Sequence, residues 1–337
     1  MRRIAVIGGG SWGTALSIIA GRAGHHVRIW SRNVDVVEQI NREHLNTTYL
    51  SSHAIPETVE ATGDLREALQ HAEFVLLASP SHVTRDLIAQ MLPQLEPQMV
   101  FISATKGIEV ESGKRISQIL RDMLEVHFEP RFVCLSGPSF AQEVAAGQPT
   151  AIVAASASIR YSRLVQEELS FQNLRIYTNT DVVGTELGGS VKNVMAVAAG
   201  MVAGLGLGSN SVAALITRGL AEVARLALAQ GARMETLMGL AGMGDLVLTC
   251  TGGLSRNRYV GQELGKGRTL PEIVGGMREV AEGVKTTRAV KRLAEQLGVE
   301  MPITNEVHAV LYEGKSVRDA ADELMTRPLR GEFERTA

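Results

Sequence analysis

The chain has 337 residues, 45% of them hydrophobic and 21% charged, which favours two domains with ample core and excludes a wholly disordered chain. A net charge of -2 excludes a global pull toward nucleic acid or anionic membrane, so any basic site must be local. The two cysteines, Cys134 and Cys250, lack metal-like spacing and read as reduced cytosolic thiols, and no metal is expected.

The opening MRRIAVIGGG sets two arginines before an apolar run. That run is short and ends on glycines, so it reads as a first core strand and not as a signal sequence. Further strands are expected at HVRIWS, EFVLLAS, MVFISAT, FVCLSG, TAIVAA and LRIYT, with amphipathic helices at TALSIIAGRAG, VTRDLIAQML and KRISQILRDMLEV between them. This alternation predicts an α/β fold: a Rossmann-type, mostly parallel sheet over residues 1–180. From 181 to about Leu324 the apolar residues follow helical spacing, which predicts an all-α C-terminal domain over 181–337 that ends in a loosely ordered charged tail, RPLRGEFERTA. The uncharged run Asn193–Thr217 contains Gly200 and Gly204 at GxxxG spacing. GLGLGSNS interrupts it, so it reads as two closely packed soluble helices with no stable membrane insertion, and its glycines offer a surface for packing across an interface.

VIGGGSWGTALSIIA is a strand, a glycine loop and a helix, with Gly8, Gly10 and Gly13 in GxGxxG register. The first glycine permits a tight turn, the second lets phosphate approach the backbone, and the third lets helix and strand pack closely. Ser11 and Trp12 sit inside the loop, nearest the expected dinucleotide. At the end of the second strand, where an acid usually holds the ribose of NAD, the chain carries Ser31, Arg32 and Asn33. Arginine there accepts a 2′-phosphate, which favours NADPH over NADH.

Lys106, in SATKGIE, and Gly137, Pro138, Ser139 and Ala141, in LSGPSFAQEVAAG, fall at the carboxyl edge of the sheet, where open α/β sheets bind ligands. In the helical half, GMGDLVLTCTGGLSRNRYVG holds Asp245 and the triplet Ser255, Arg256, Asn257, chemistry suited to a phosphate or carboxylate. Lys192 and Asn193 stand side by side in ELGGSVKNVMA, a helix with almost no polar face. An ammonium there is costly unless the site uses it.

GGGSWGTA, the N-x-x-YL of Asn46 to Leu50, ATKGIE, SGPSFAQEV, the Lys192–Asn193 pair, GLAGMGDLVLTC, SRNR and AEGVKT occur in one order along nearly the whole chain. In this the sequence closely resembles the bacterial NAD(P)-dependent glycerol-3-phosphate dehydrogenases. The resemblance implies reversible hydride transfer between dihydroxyacetone phosphate and sn-glycerol 3-phosphate for glycerophospholipid synthesis, by a cytoplasmic homodimer using NADPH or NADH. It implies Lys192 as proton donor and acceptor, and Lys106, Gly137, Ser139, Asp245, Ser255, Arg256 and Asn257 at the substrate; Asn193, beside Lys192, is expected to help orient it. Cofactor contacts are implied for Ser11, Trp12, Arg32, Tyr49, Lys106, Ala141, Arg256, Val280 and Glu282. The competing readings are a related two-domain dehydrogenase acting on a hydroxy or keto acid and a non-catalytic NADPH-binding regulator.

Overall fold

The computed structural model describes residues 1–51, 53–277, 281–329 and 331–332. By contacts the chain forms two compact units. One contains Met1–Lys106 and Lys114–Glu186, and the other contains Gly107–Gly113 and the chain from Leu187 on. The sequence reading sets a boundary near Thr180, whereas contacts divide the chain inside the helix Val182–Gly204. The reason is local: Glu186 accepts hydrogen bonds from Arg115 Nη1 (2.6 Å) and from the Ser117 amide and hydroxyl (2.8 and 2.6 Å), all within the first unit.

The first unit is built on eight strands: β1 Arg3–Ile7, β2 His26–Trp30, β3 Val59–Thr62, β4 Phe74–Leu77, β5 Val100–Ser103, β6 Arg131–Ser136, β7 Thr150–Ala155 and β8 Leu174–Asn179. Their order is β3-β2-β1-β4-β5-β6-β7-β8, with every neighbouring pair parallel except β6 and β7. Alternate residues of β1 enter different cores. Ile4 and Val6 pack with helix Ser11–Arg22 on one face, and Ala5 and Ile7 with helices Thr84–Met91 and Ile116–Leu124 on the other. Burial on both faces explains continuous apolar runs such as FVLL. The strand missing from the sequence reading, β3, is the four-residue edge segment VEAT, too short and polar to declare a period.

The second unit contains no β-strand among its described residues. Its longer helices are the part of Val182–Gly204 from Leu187 on, Ser209–Ala229, Arg256–Gly265, Glu282–Gln296, Pro302–Tyr312 and Val317–Thr326. Helix Val182–Gly204 is long and apolar enough to cross a membrane by composition, yet 83% of its most apolar window is buried inside the protein. The glycines read as a possible interface surface pack within this unit. A Cβ on Gly200 would lie 2.0 Å from the Arg258 carbonyl oxygen, and one on Gly261 would lie 1.9 Å from that of Val197. Gly204 and Gly265 meet one turn further along. Missing side chains here let two backbones touch.

Candidate functional site

In the first unit, consecutive strands run outward in opposite directions from β1 and β4, creating a switch point where open sheets bind ligands at their carboxyl ends. The glycine loop leaves β1 there. Gly8 has φ +131°, and a Cβ on it would meet the Ala78 carbonyl oxygen at 2.7 Å. One on Gly13 would sit 1.9 Å from the Gly8 carbonyl oxygen, so helix Ser11–Arg22 can start this close only without a side chain. Around Gly10, by contrast, a Cβ would meet nothing within 4 Å. Gly10 caps the helix without a side-chain hydrogen bond, and no acid stands in the first turn. An open backbone cradle at a helix N-terminus fits a pyrophosphate.

Ser11 and Trp12 open that helix, and the buried Trp12 Nε1 has no hydrogen-bond partner among the described residues. Tyr49 packs partly buried on the same core, and its amide donates to Asn46 Oδ1 (3.2 Å). At the end of β2, Arg32 is exposed, and Asn33 Oδ1 is committed to capping helix Val34–Glu43 through the Asp35 amide (2.9 Å). Beyond β5 and β6, Lys106 Nζ and Ser139 Oγ both donate to the Gly137 carbonyl, at 3.1 and 3.0 Å. Gly137 has φ +137°, and a Cβ there would meet Ile152 Cα at 2.9 Å. Ala141 begins helix Ala141–Ala145 and packs on the core.

The second unit answers why a lysine is placed in an apolar helix. One turn before Lys192, a Cβ on Gly188 would meet the Ala241 carbonyl oxygen at 2.6 Å. That close approach brings the π-helical turn Leu240–Gly244 against the helix, and Asp245 follows it directly. Lys192, 6% exposed, donates through Nζ to Asp245 Oδ1 at 2.5 Å and to Thr249 Oγ1 at 2.8 Å. Asp245, which the sequence reading places among the substrate contacts, has its carboxylate paired with the Lys192 ammonium. Thr249 was not anticipated. Its signal was its i+4 spacing from Asp245, which puts both on one helical face.

Asn193 is buried beside this pair. Its carbonyl oxygen would lie 2.6 Å from a Cβ on Gly283, and Asn257 Oδ1 accepts from the Gly283 amide at 2.9 Å. Asn257 thus satisfies one of the open N–H groups of helix Glu282–Gln296, whose first residue is the half-buried Glu282. Ser255 Oγ accepts from the Arg258 amide (3.2 Å) and caps helix Arg256–Gly265. These two oxygens therefore already serve helix starts, and they position Arg256, exposed on the first turn beside a helix N-terminus. Val280 lies outside the described residues.

Both cysteines are buried and free of disulfides. Burial pushes the Cys250 thiol up to about 12 and the Cys134 thiol well above its ordinary value, which makes both poor nucleophiles. Among the described residues no group of three or more His, Cys, Asp or Glu could hold a metal ion.

The sequence matches two family profiles, described as NAD-dependent glycerol-3-phosphate dehydrogenase N-terminus over residues 3–162 and C-terminus over residues 181–322. It is 57% identical over 330 residues to a glycerol-3-phosphate dehydrogenase [NAD(P)+] of Koribacter versatilis, covering 97% of this chain and 98% of that one. The corresponding protein of Myxococcus xanthus is 50% identical, with 98% and 99% covered. The crystal structure of the Coxiella burnetii glycerol-3-phosphate dehydrogenase matches with a TM-score of 0.93 at 40% identity, over 97% of this chain and 99% of that one. A ketopantoate reductase from Ralstonia eutropha, at 18% identity and a TM-score of 0.60, shares the fold alone. The chain therefore belongs to the NAD-dependent glycerol-3-phosphate dehydrogenase family, whose members are NAD(P)-dependent oxidoreductases acting on a CH–OH group.

Proposed function

We propose that this chain reduces dihydroxyacetone phosphate to sn-glycerol 3-phosphate, reversibly, with Lys192 as the group that gives and takes the proton. A bound nicotinamide cofactor would supply the hydride to the carbonyl carbon. The carbonyl oxygen needs a proton at the same time, and an ammonium at Lys192 Nζ can deliver it. The observation that carries this reading is the buried lysine held by Asp245 and Thr249. A chain with no chemistry for an ammonium would have little reason to bury one in an apolar helix. Asp245 fixes the direction of the Nζ–H bonds and compensates the charge, and Thr249 adds a second anchor.

The remaining residues bind and orient. Arg256, at the start of its helix, offers a cation and the helix dipole to the substrate phosphate, and remote binding of that dianion helps align the reacting carbon. Lys106, Gly137 and Ser139 are further substrate contacts, and Asn193 orients the substrate beside Lys192. The glycine loop, with Ser11, Trp12, Tyr49 and Ala141, holds the dinucleotide, joined by Val280 and Glu282. Arg32 accepts the 2′-phosphate, which makes NADPH the preferred cofactor. A cytoplasmic homodimer without nucleic-acid or membrane partners completes the reading.

The test is oxidation of NADPH, and separately of NADH, on adding dihydroxyacetone phosphate, with unphosphorylated dihydroxyacetone as control. Turnover only with the phosphorylated ketone, faster with NADPH, is expected. Equal rates with both ketones would contradict the phosphate anchor, and a faster NADH reaction would contradict the role of Arg32.

A further inference from the structure

Asn46 belongs to the N-x-x-YL stretch, which carried no assigned role beyond Tyr49. It is fully buried at 0% exposure, and both polar atoms of its side chain are engaged. Its Nδ2 donates to the Gly9 carbonyl oxygen at 2.9 Å and to Thr14 Oγ1 at 2.8 Å. Its Oδ1 accepts from the Tyr49 amide at 3.2 Å. The amide orientation is not ambiguous: a carbonyl only accepts and a backbone N–H only donates, so a flipped side chain would oppose both partners.

These contacts join three parts of the cofactor cradle. Gly9 lies in the middle of the glycine loop, Thr14 is in the first turn of the helix that follows, and Tyr49 is on the turn Asn46–Leu50, closed by a Leu50 amide to Asn46 carbonyl bond of 2.8 Å. The Gly9–Gly10 peptide is trans, so its C=O and N–H point in opposite directions. Tying the Gly9 carbonyl to Asn46 turns the Gly10 N–H the other way. At Gly10 the loop is open, with nothing within 4 Å of where a Cβ would stand.

We propose that Asn46 is a positioning residue for the cofactor pyrophosphate: it touches no ligand but sets the peptide plane whose N–H receives the phosphate, and it couples that plane to the Tyr49 turn. This rests on the reading of the glycine loop as the dinucleotide site. An asparagine that only closed its own turn would need the Tyr49 contact and not the two bonds to Gly9 and Thr14.

The experiment measures dissociation constants by calorimetry for NADPH, 2′-phospho-ADP-ribose and adenosine 2′-monophosphate, the last of which lacks the pyrophosphate. Asn46→Ala is expected to weaken the first two about tenfold and to change the third less than twofold. Thr14→Val, which removes one anchor of the same amide and keeps its shape, is expected to weaken the same two ligands about threefold. It decides the matter if Asn46→Ala does not fold. Unchanged NADPH affinity, or an equal loss for all three ligands, would overturn the proposal. Failure of the wild-type chain to bind 2′-phospho-ADP-ribose would instead contradict the glycine-loop reading on which it rests.

Discussion

Glycine does opposite work in the two units. In the first, Gly8 and Gly13 permit tight local turns so that the backbone around Gly10 is left open for a ligand. In the second, Gly188, Gly200 and Gly261 bring helix backbones into contact, and the space is filled by protein. One set leaves room for binding, whereas the other removes room, and at Gly188 this brings the turn before Asp245 against the helix of Lys192. The lesson is that a glycine motif has no fixed meaning: what matters is whether the position a Cβ would occupy is empty or faces another backbone.

Substitutions can break this contrast at several points. A large effect is expected on the substrate side. Arg256→Ala should raise the Michaelis constant for dihydroxyacetone phosphate about 100-fold, the equivalent of a lost bidentate arginine–phosphate contact. An unchanged constant would show that the phosphate is held elsewhere. Gly261→Ala should lower unfolding stability by about 3 kcal/mol, because the added Cβ meets backbone that cannot turn away. A denaturation midpoint equal to that of the wild type would remove the packing role of these glycines.

The next effect is on pH dependence in the second unit. Glu222 is buried, and its carboxylate accepts from the Ile303 and Thr304 amides at the start of helix Pro302–Tyr312, at 2.6 and 3.2 Å. Burial outweighs those hydrogen bonds and raises its pKa from 4.5 to about 7. The folded chain thus holds this proton more tightly than the unfolded chain. The stability it contributes is fully present below about pH 4.5 and is lost as the pH rises to about 7. Glu222→Gln cannot ionise, so its stability relative to wild type should increase by on the order of 2 kcal/mol between pH 5 and pH 8, read from urea unfolding. A constant difference across that range would contradict the assignment.

Smallest is Gly10→Ala, which places a methyl group in the open cradle without touching the protein. NADPH affinity should fall about tenfold while the unfolding temperature stays within a degree or two. Loss of stability without loss of affinity would reverse the contrast with Gly261.

Much of this architecture is legible in the sequence because it is local. Seven of the strands announce themselves as apolar runs, and Gly8, Gly10 and Gly13 declare their turn within six residues. The edge strand Val59–Thr62 does not, since four residues with a charged one among them carry too little period. The second site is less legible because its contacts are distant along the chain. Lys192 is suspicious on its own, but nothing local says that Asp245, 53 residues later, is its counter-ion. Nor does SRNR reveal that Ser255 and Asn257 spend their oxygens on helix starts, leaving Arg256 as the side chain presented outward. Asn46 is the intermediate case: its motif was visible, but its bond to the Gly9 carbonyl needed the fold.

The most direct test of the account pairs two measurements on Lys192→Ala: turnover of dihydroxyacetone phosphate and the NADPH dissociation constant. The account predicts a fall in kcat of about 1,000-fold, within the range of a lost general acid, with NADPH affinity changed less than twofold. A comparable loss in both would make Lys192 a structural residue, and undiminished turnover would place the proton donor elsewhere.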